Sequence, residues 1–173
     1  MRITLYEHEL DEAIEDYLQK KGLAISSLGD KRTEVTFAYQ QRKYAYETHK
    51  NCKRKKDKNG CAIIDWHGGF SIGAGESVEF IQPDAFSEVL NRDYSNDASR
   101  IDGSLFANGR VTIANPFGVF IGEHALVDVA HLTAAAGHVE ERDFLAGNLH
   151  FGELTGVVEN RGTIRADAVT LLG

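Results

Sequence analysis

The sequence predicts a mainly β fold, a solenoid of the parallel β-helix kind, preceded by a small N-terminal segment of helix plus strands. Three observations carry this. From Trp66 onward, short alternating runs are separated by Gly and Asn turn signals. Several of these runs arrive closer together than the ~8–12 residues usual in a sandwich, so each strand must rest on a counterpart one coil away. A single coil cannot bury its own inner face, and stacking supplies the core. Composition also changes in mid-chain. The 173 residues carry a net charge of -7, but residues 1–60 hold 13 Lys+Arg against 10 Asp+Glu, leaving +3. Residues 61–173 hold 6 against 16, leaving −10. Every lysine lies at or before Lys58, and 14 of the 17 glycines follow residue 60. Such a shift marks a boundary. It is placed at the turn-prone Asn59-Gly60, dividing the chain into residues 1–58 and 59–173.

In the first unit, Thr4-x-x-Glu7 reads as a capping box. Leu10, Ala13, Ile14, Tyr17 and Leu18 then follow the one-sided spacing of an amphipathic helix. Lys20-Lys21-Gly22 closes it, in keeping with the macrodipole and a left-handed C-cap. Glu34 to Tyr39 alternates as a strand, and Tyr44-Ala45-Tyr46 supplies a partner. Lys50 to Lys58 is the one dense basic cluster. Lys53, Arg54, Lys55 and Lys56 could hold an anion, though no interleaved aromatic platform accompanies them and a solvated linker is the plainer reading. Cys52 and Cys61 can pair across a short loop or remain free thiols, and free thiols are expected.

In the second unit each element is a turn followed by a strand. Gly73-Ala74-Gly75-Glu76 leads into Ser77–Ile81, and Asn108-Gly109 into Arg110–Ile113. Asn115-Pro116-Phe117-Gly118 leads into Val119–Ile121, Gly122-Glu123-His124 into Ala125–Val129, and Asn160-Arg161-Gly162 into Thr163–Ala166, with Val169–Leu172 at the end. Pro116 presets φ, Asn115 can bond back to the backbone as an Asx-turn, and Gly118 removes side-chain obstruction. A second such turn is formed by Asn160 and Gly162.

Catalysis is not expected. Asp93, Asp97 and Asp102 lie in a polar loop whose ordinary role is solvation, and no lysine follows Lys58 to act as a base. His124, His131, His138 and His150, with Glu140 or Asp143, lack the compact spacing of a zinc site. Gly73-Ala74-Gly75 precedes a strand, whereas a phosphate loop opens a helix. No cofactor, metal or small-molecule substrate is implied. Met1–Glu7 lacks the layout of a signal peptide, and no stretch approaches the ~18 apolar residues of a membrane-spanning helix.

Several segments also resemble a known family in order and spacing. They are Ala62–Trp66, Phe70–Gly73, Glu76–Phe80, Gln82-Pro83, Leu90–Arg92, Ser99–Leu105, Ala107–Val111, Asn115–Val119, Asp143–Gly147, Val158–Ile164 and Leu171–Gly173. Together they are similar to the haemagglutination-activity, or two-partner secretion, domain of filamentous haemagglutinin-like exoproteins. The resemblance implies a right-handed parallel β-helix at the head of a large adhesin, haemolysin or contact-dependent inhibition protein, secreted or at the cell surface. It implies recognition of the unfolded or extended module by the periplasmic domains of an outer-membrane transporter. A host or neighbouring-cell surface would be met through the wider exoprotein. The family's Asn-Pro-Asn-Gly turn maps onto Asn115, Pro116, Phe117 and Gly118, and only Phe117 departs from it; recognition there leads one to expect this loop to be exposed. His131–Ala136 departs from the usual glycine-rich pattern, and residues 1–58 stand where the family has its capping segment. Without that segment the first coil would expose backbone donors and acceptors; the amphipathic helix Glu7–Lys21 is one candidate to take that place. The rival reading is a cytoplasmic protein that binds an acidic partner or nucleic acid through the basic N-terminal part, for which salt-sensitive binding is expected.

Overall fold

A computed structural model describes residues 60–173 in full, and three earlier strands by their backbone. These are β1 (Leu23–Ser27), β2 (Lys31–Phe37) and β3 (Arg42–Thr48). The expected helix Glu7–Lys21 and the cluster Lys53–Lys56 lie outside the described residues. The strand expected at residues 34–39 overlaps β2 as far as Phe37, residues 38 and 39 lying outside the described residues, and the one expected at 44–46 lies within β3; the two strands form an antiparallel pair with Val35 opposite Tyr44. β1 was not anticipated.

From residue 61 the chain coils. The first coil holds β4 (Cys61–Trp66) and β5 (Ser77–Ile81). The second holds β6 (Glu88–Asp93), β7 (Ser99–Ile101) and β8 (Ser104–Ala107). The third holds β9 (Arg110–Ala114), β10 (Val119–Ile121) and β11 (Leu126–Asp128). The fourth holds β12 (His131–Ala135), β13 (Val158–Asn160) and β14 (Thr163–Arg165), and β15 (Ala168–Leu172) begins a fifth. Three sheets result, in the orders β1-β4-β6-β9-β12-β15, β13-β10-β7 and β14-β11-β8-β5-β2-β3. All pairings from β4 onward between these strands are parallel. This is the expected parallel β-helix.

The register explains why short strands suffice. Ala62, Val89, Val111, Leu132 and Val169 share one column of the first sheet, and Val78, Leu105, Val127 and Ile164 share one in the third. Val78 to Ile164 and Ala62 to Leu132 all pack into the interior cluster. A strand of three residues offers one or two inward side chains, so the core exists only as columns. Asn91 stands among them, fully buried. It accepts from Trp66 Nε1 at 3.1 Å and donates to the Thr112 carbonyl at 3.3 Å, so neither end of its amide is orphaned.

The first sheet is covered on its outer face as well. Between β12 and β13 the chain leaves the coil as a strap, residues 136–157, with one short helix, α1 (Glu141–Leu145). Phe144 and Val139 of the strap pack on Cys61, Ile63, Leu90 and Ala114, the outward residues of three successive coils. Ala134, Ala135 and Ala136 are fully buried. The segment His131–Ala136 is therefore a regular rung, and small residues stand there because both faces of the sheet are occupied. Arg92 and Asp65 reinforce the outer face. The guanidinium donates to both carboxylate oxygens at 2.6 and 2.8 Å, and Glu141 of α1 lies 3.9 Å away. Burial acts to depress the Arg92 pKa, but the bonds and charge of Asp65 outweigh it, and the group sits above its ordinary value.

The first coil is not uncapped. β1 pairs antiparallel with β4, Leu23 opposite Trp66, and β2 pairs antiparallel with β5, Val35 opposite Phe80. The edge is thus taken by strands of the same two sheets. Cys61 is disulfide-bonded, which corrects the expectation of free thiols in favour of pairing.

Two outcomes are expected. Phe144→Ala should lower unfolding free energy by about 3–5 kcal/mol in urea titrations, and Phe144→Leu by much less, because the ring fills the interface between strap and sheet. Thiol titration of the oxidised protein should find no reactive cysteine, and reduction should lower stability by about 2–3 kcal/mol.

Candidate functional site: the Asn115 corner

The corner between the first and second sheets is built from polar residues of three consecutive coils. Asp93 ends β6 and is buried. Its Oδ2 accepts from the Phe70 N–H of the first coil and from Ser99 Oγ, both at 2.7 Å. Its Oδ1 accepts from Ser95 N–H at 2.8 Å and Ser95 Oγ at 2.6 Å. Four donors on one carboxylate make it the hub of the turn, so Asp93 is not part of a solvated loop as expected from sequence. Of the neighbouring acids, Asp97 and Asp102 are exposed.

Asn115 occupies the equivalent place one coil later and is fully buried (0% exposed). Its Nδ2 donates to the Asp97 carbonyl at 2.9 Å and to Ser99 Oγ at 3.0 Å. Its Oδ1 accepts from the Phe117 N–H at 2.8 Å, the Asx-turn anticipated from sequence. The Gly118 N–H donates to the Asn115 carbonyl at 3.0 Å, closing the turn. Gly118 has φ +116°, a region that disfavours any side chain. Phe70, Asp93, Ser99 and Asn115 therefore form one hydrogen-bonded spine through three coils.

The fourth coil completes the corner. Thr155 Oγ1 donates to the Pro116 carbonyl at 3.2 Å, and the Val119 N–H donates to the Val157 carbonyl at 3.0 Å. The corner was expected to be exposed. Only Phe117 is, at 53%, whereas Asn115 and Gly118 are buried and Pro116 is half-buried. The reason is stacking: a turn in mid-solenoid has a turn above it and another below. What it shows to solvent is the one residue that departs from the family's turn.

The second turn behaves differently. Asn160 is exposed, and its Oδ1 accepts from the Gly162 N–H at 3.0 Å. A Cβ on Gly162 would stand 2.5 Å from the Gly122 carbonyl oxygen, so close packing of coils requires glycine there. The two turns are separate sites, at opposite ends of the second sheet's strands. Of the histidines, His138 lies 3.4 Å from Glu140, and His124 and His150 are exposed. Among the described residues no three His, Cys, Asp or Glu side chains converge as metal ligands would.

Sequence reading missed one surface group. His67 stacks on Tyr94 with centroids 5.4 Å apart, and His138 of the strap meets the same ring in a T-shaped contact at 5.7 Å. Partial burial raises the Tyr94 pKa, opposed by the Arg92 guanidinium 5.6 Å from its ring centre. His67 and Tyr94 each follow the end of a paired strand, but no spacing in the sequence announces that the strap returns to them.

Asn115→Ala should cost about 2–4 kcal/mol, because it strips partners from the buried Ser99 hydroxyl, the Asp97 carbonyl and the Phe117 N–H. Phe117→Ala, one step along the chain, should stay within about 0.5 kcal/mol. Urea titration of the two variants beside the parent measures both.

A family model described as the TPS secretion domain matches residues 40–170. A heme/hemopexin-binding protein of Haemophilus influenzae is 49% identical over 77 residues, which are 44% of this chain and 8% of that protein. A second protein of the same description from Haemophilus influenzae is 42% identical over 88 residues, 51% of this chain and 9% of that protein. The chain thus spans less than a tenth of the length of these relatives. The crystal structure of the HMW1 secretion domain from Haemophilus influenzae is similar with a TM-score of 0.66 and 26% identity, over 87% of this chain and 38% of that one. The family match begins at residue 40, upstream of the Ala62 at which the residue-by-residue likeness starts, so it takes in β3. With its parallel coils and its strap, the chain belongs to the TPS secretion domain family, the secretion modules of haemagglutinin-like exoproteins.

Proposed function

We propose that this module directs export of a longer exoprotein through its two-partner-secretion transporter, and that the transporter's periplasmic domains read the Asn115–Gly118 corner while the chain is still extended. The observation that carries the second part is the burial of Asn115. In the folded module both ends of its amide are engaged, so a partner that reads this side chain must meet it before the coils stack. Family membership supports the first part. The relatives named for heme and hemopexin and the one named HMW1 share this segment, and the shared piece is the secretion domain. Attachment to a host or neighbouring cell, and any ligand such as heme or hemopexin, then belong to the remainder of the exoprotein. The product is secreted or held at the cell surface. The rival reading, an intracellular binder acting through the basic segment, is not favoured by a family match that covers residues 40–170.

The test is an export assay in a Gram-negative host, with the chain placed behind a signal peptide and co-expressed with its transporter. The parent should reach the medium. Asn115→Ala should remain in the periplasm, with a medium yield lower by about tenfold or more. Phe144→Ala, expected to be the less stable fold, should still leave the cell, since recognition precedes folding. Equal export of the parent and Asn115→Ala would remove the corner from the recognition step.

A further inference from the structure

The backbone of the corner is covered by one short piece of the fourth coil. Thr155–Val157 lies against it so closely that a Cβ on Gly156 would stand 2.6 Å from the Pro116 carbonyl oxygen, 2.7 Å from the Gly118 nitrogen and 2.9 Å from the Phe117 carbonyl carbon. The contact is reciprocal: a Cβ on Gly118 would stand 2.7 Å from the Val157 carbonyl oxygen. Two hydrogen bonds seal it, from Thr155 Oγ1 to the Pro116 carbonyl and from the Val119 N–H to the Val157 carbonyl.

Away from the corner the same piece is held by one backbone hydrogen bond, from the Thr155 N–H to the Ala136 carbonyl at 3.1 Å, and by the close approach of Gly173 to Val157. Its side chains bury little: Thr155 is exposed, Leu154 is 43% exposed and Val157 is 59% exposed. Segments with few buried apolar contacts open at low free-energy cost. It also arrives late. Thr155 lies 39 residues beyond Pro116 and can reach the corner only after the strap has crossed the first sheet.

We propose that Thr155–Val157 is a built-in competitor for the Asn115–Gly118 corner, which seats as the fourth coil forms and thereby releases the module from the transporter. This rests on the reading of the corner given above. An occupant that binds only one of two states shifts the balance by its differential affinity. Here the competing occupant is part of the same chain, so its effective concentration is fixed by the strap and does not fall on dilution. No energy source is needed for release; completion of the fold supplies it.

The experiment measures binding of the full chain to the soluble periplasmic portion of its own transporter. Gly156→Val cannot seat against the corner and, once shown to be folded by near-ultraviolet circular dichroism, should bind at least about tenfold more tightly than the folded parent, through the Pro116–Gly118 backbone it leaves uncovered, since Asn115 stays engaged by Asp97 and Ser99. Gly152→Val is the matched control: the nearest atom to its Cβ is the His138 carbonyl oxygen at 3.8 Å, and its affinity should equal the parent's. If Gly156→Val does not fold, amide exchange on the parent decides instead. Adding the periplasmic portion should accelerate exchange of the Val119 N–H, which Val157 accepts, and leave that of Ile113 unchanged. A folded Gly156→Val that binds no better, or a Val119 exchange rate indifferent to bound partner, overturns the competitor. Failure of the urea-unfolded parent to bind at all overturns the corner as the recognition element, a separate result.

Discussion

No coil of this protein has an inside of its own. Val127 is dry because Leu105 lies on one side of it and Ile164 on the other, and the same holds for Val111 between Val89 and Leu132. Parallel, in-register stacking is therefore the constraint from which the other features follow. It allows strands of three residues, which would be too short to stand alone. It places turns above turns, so a polar side chain at a corner finds its partners on the coils before and after it. Asp93, Ser99 and Asn115 satisfy one another in this way across three coils. Such a spine is worth more complete than in parts, because each member left unpaired is a buried polar group.

The strap adds a second layer of the same logic. A sheet with an apolar outer face needs a cover, and Phe144 with Val139 supplies it. The cover passes on to the corner through Thr155–Val157. Burial of the outer face and closure of the corner thus belong to one excursion of the chain. The buried carboxylates of Asp65 and Asp93 are engaged by a guanidinium and by four local donors; they hold the frame.

Much of this was legible in the sequence. Alternation and closely spaced Gly and Asn turns announced a stack of short strands, and Asn115-Pro116-Phe117-Gly118 announced its own Asx-turn. The burial of Asn115 was not legible, because a turn signal describes a local backbone and says nothing of what lies above it. Asp93 looked like a loop residue for the same reason: its partners are Phe70, Ser95 and Ser99, and the most distant is 23 positions away. The alanines of β12 looked like decay of a pattern, since periodicity along a strand cannot register a cover that arrives afterwards. β1 escaped notice because Leu23–Ser27 alternates only weakly, and its place is set by the edge of β4 that it fills.

The antiparallel pairing of β1 with β4 and of β2 with β5 gives the molecule a direction. A further parallel coil cannot be laid on strands that run the opposite way, so elongation of the solenoid is closed at that end. The stack resembles a crystal seed with one poisoned face and one live face. A further parallel coil fits only on the side of the later residues, where the strands run parallel.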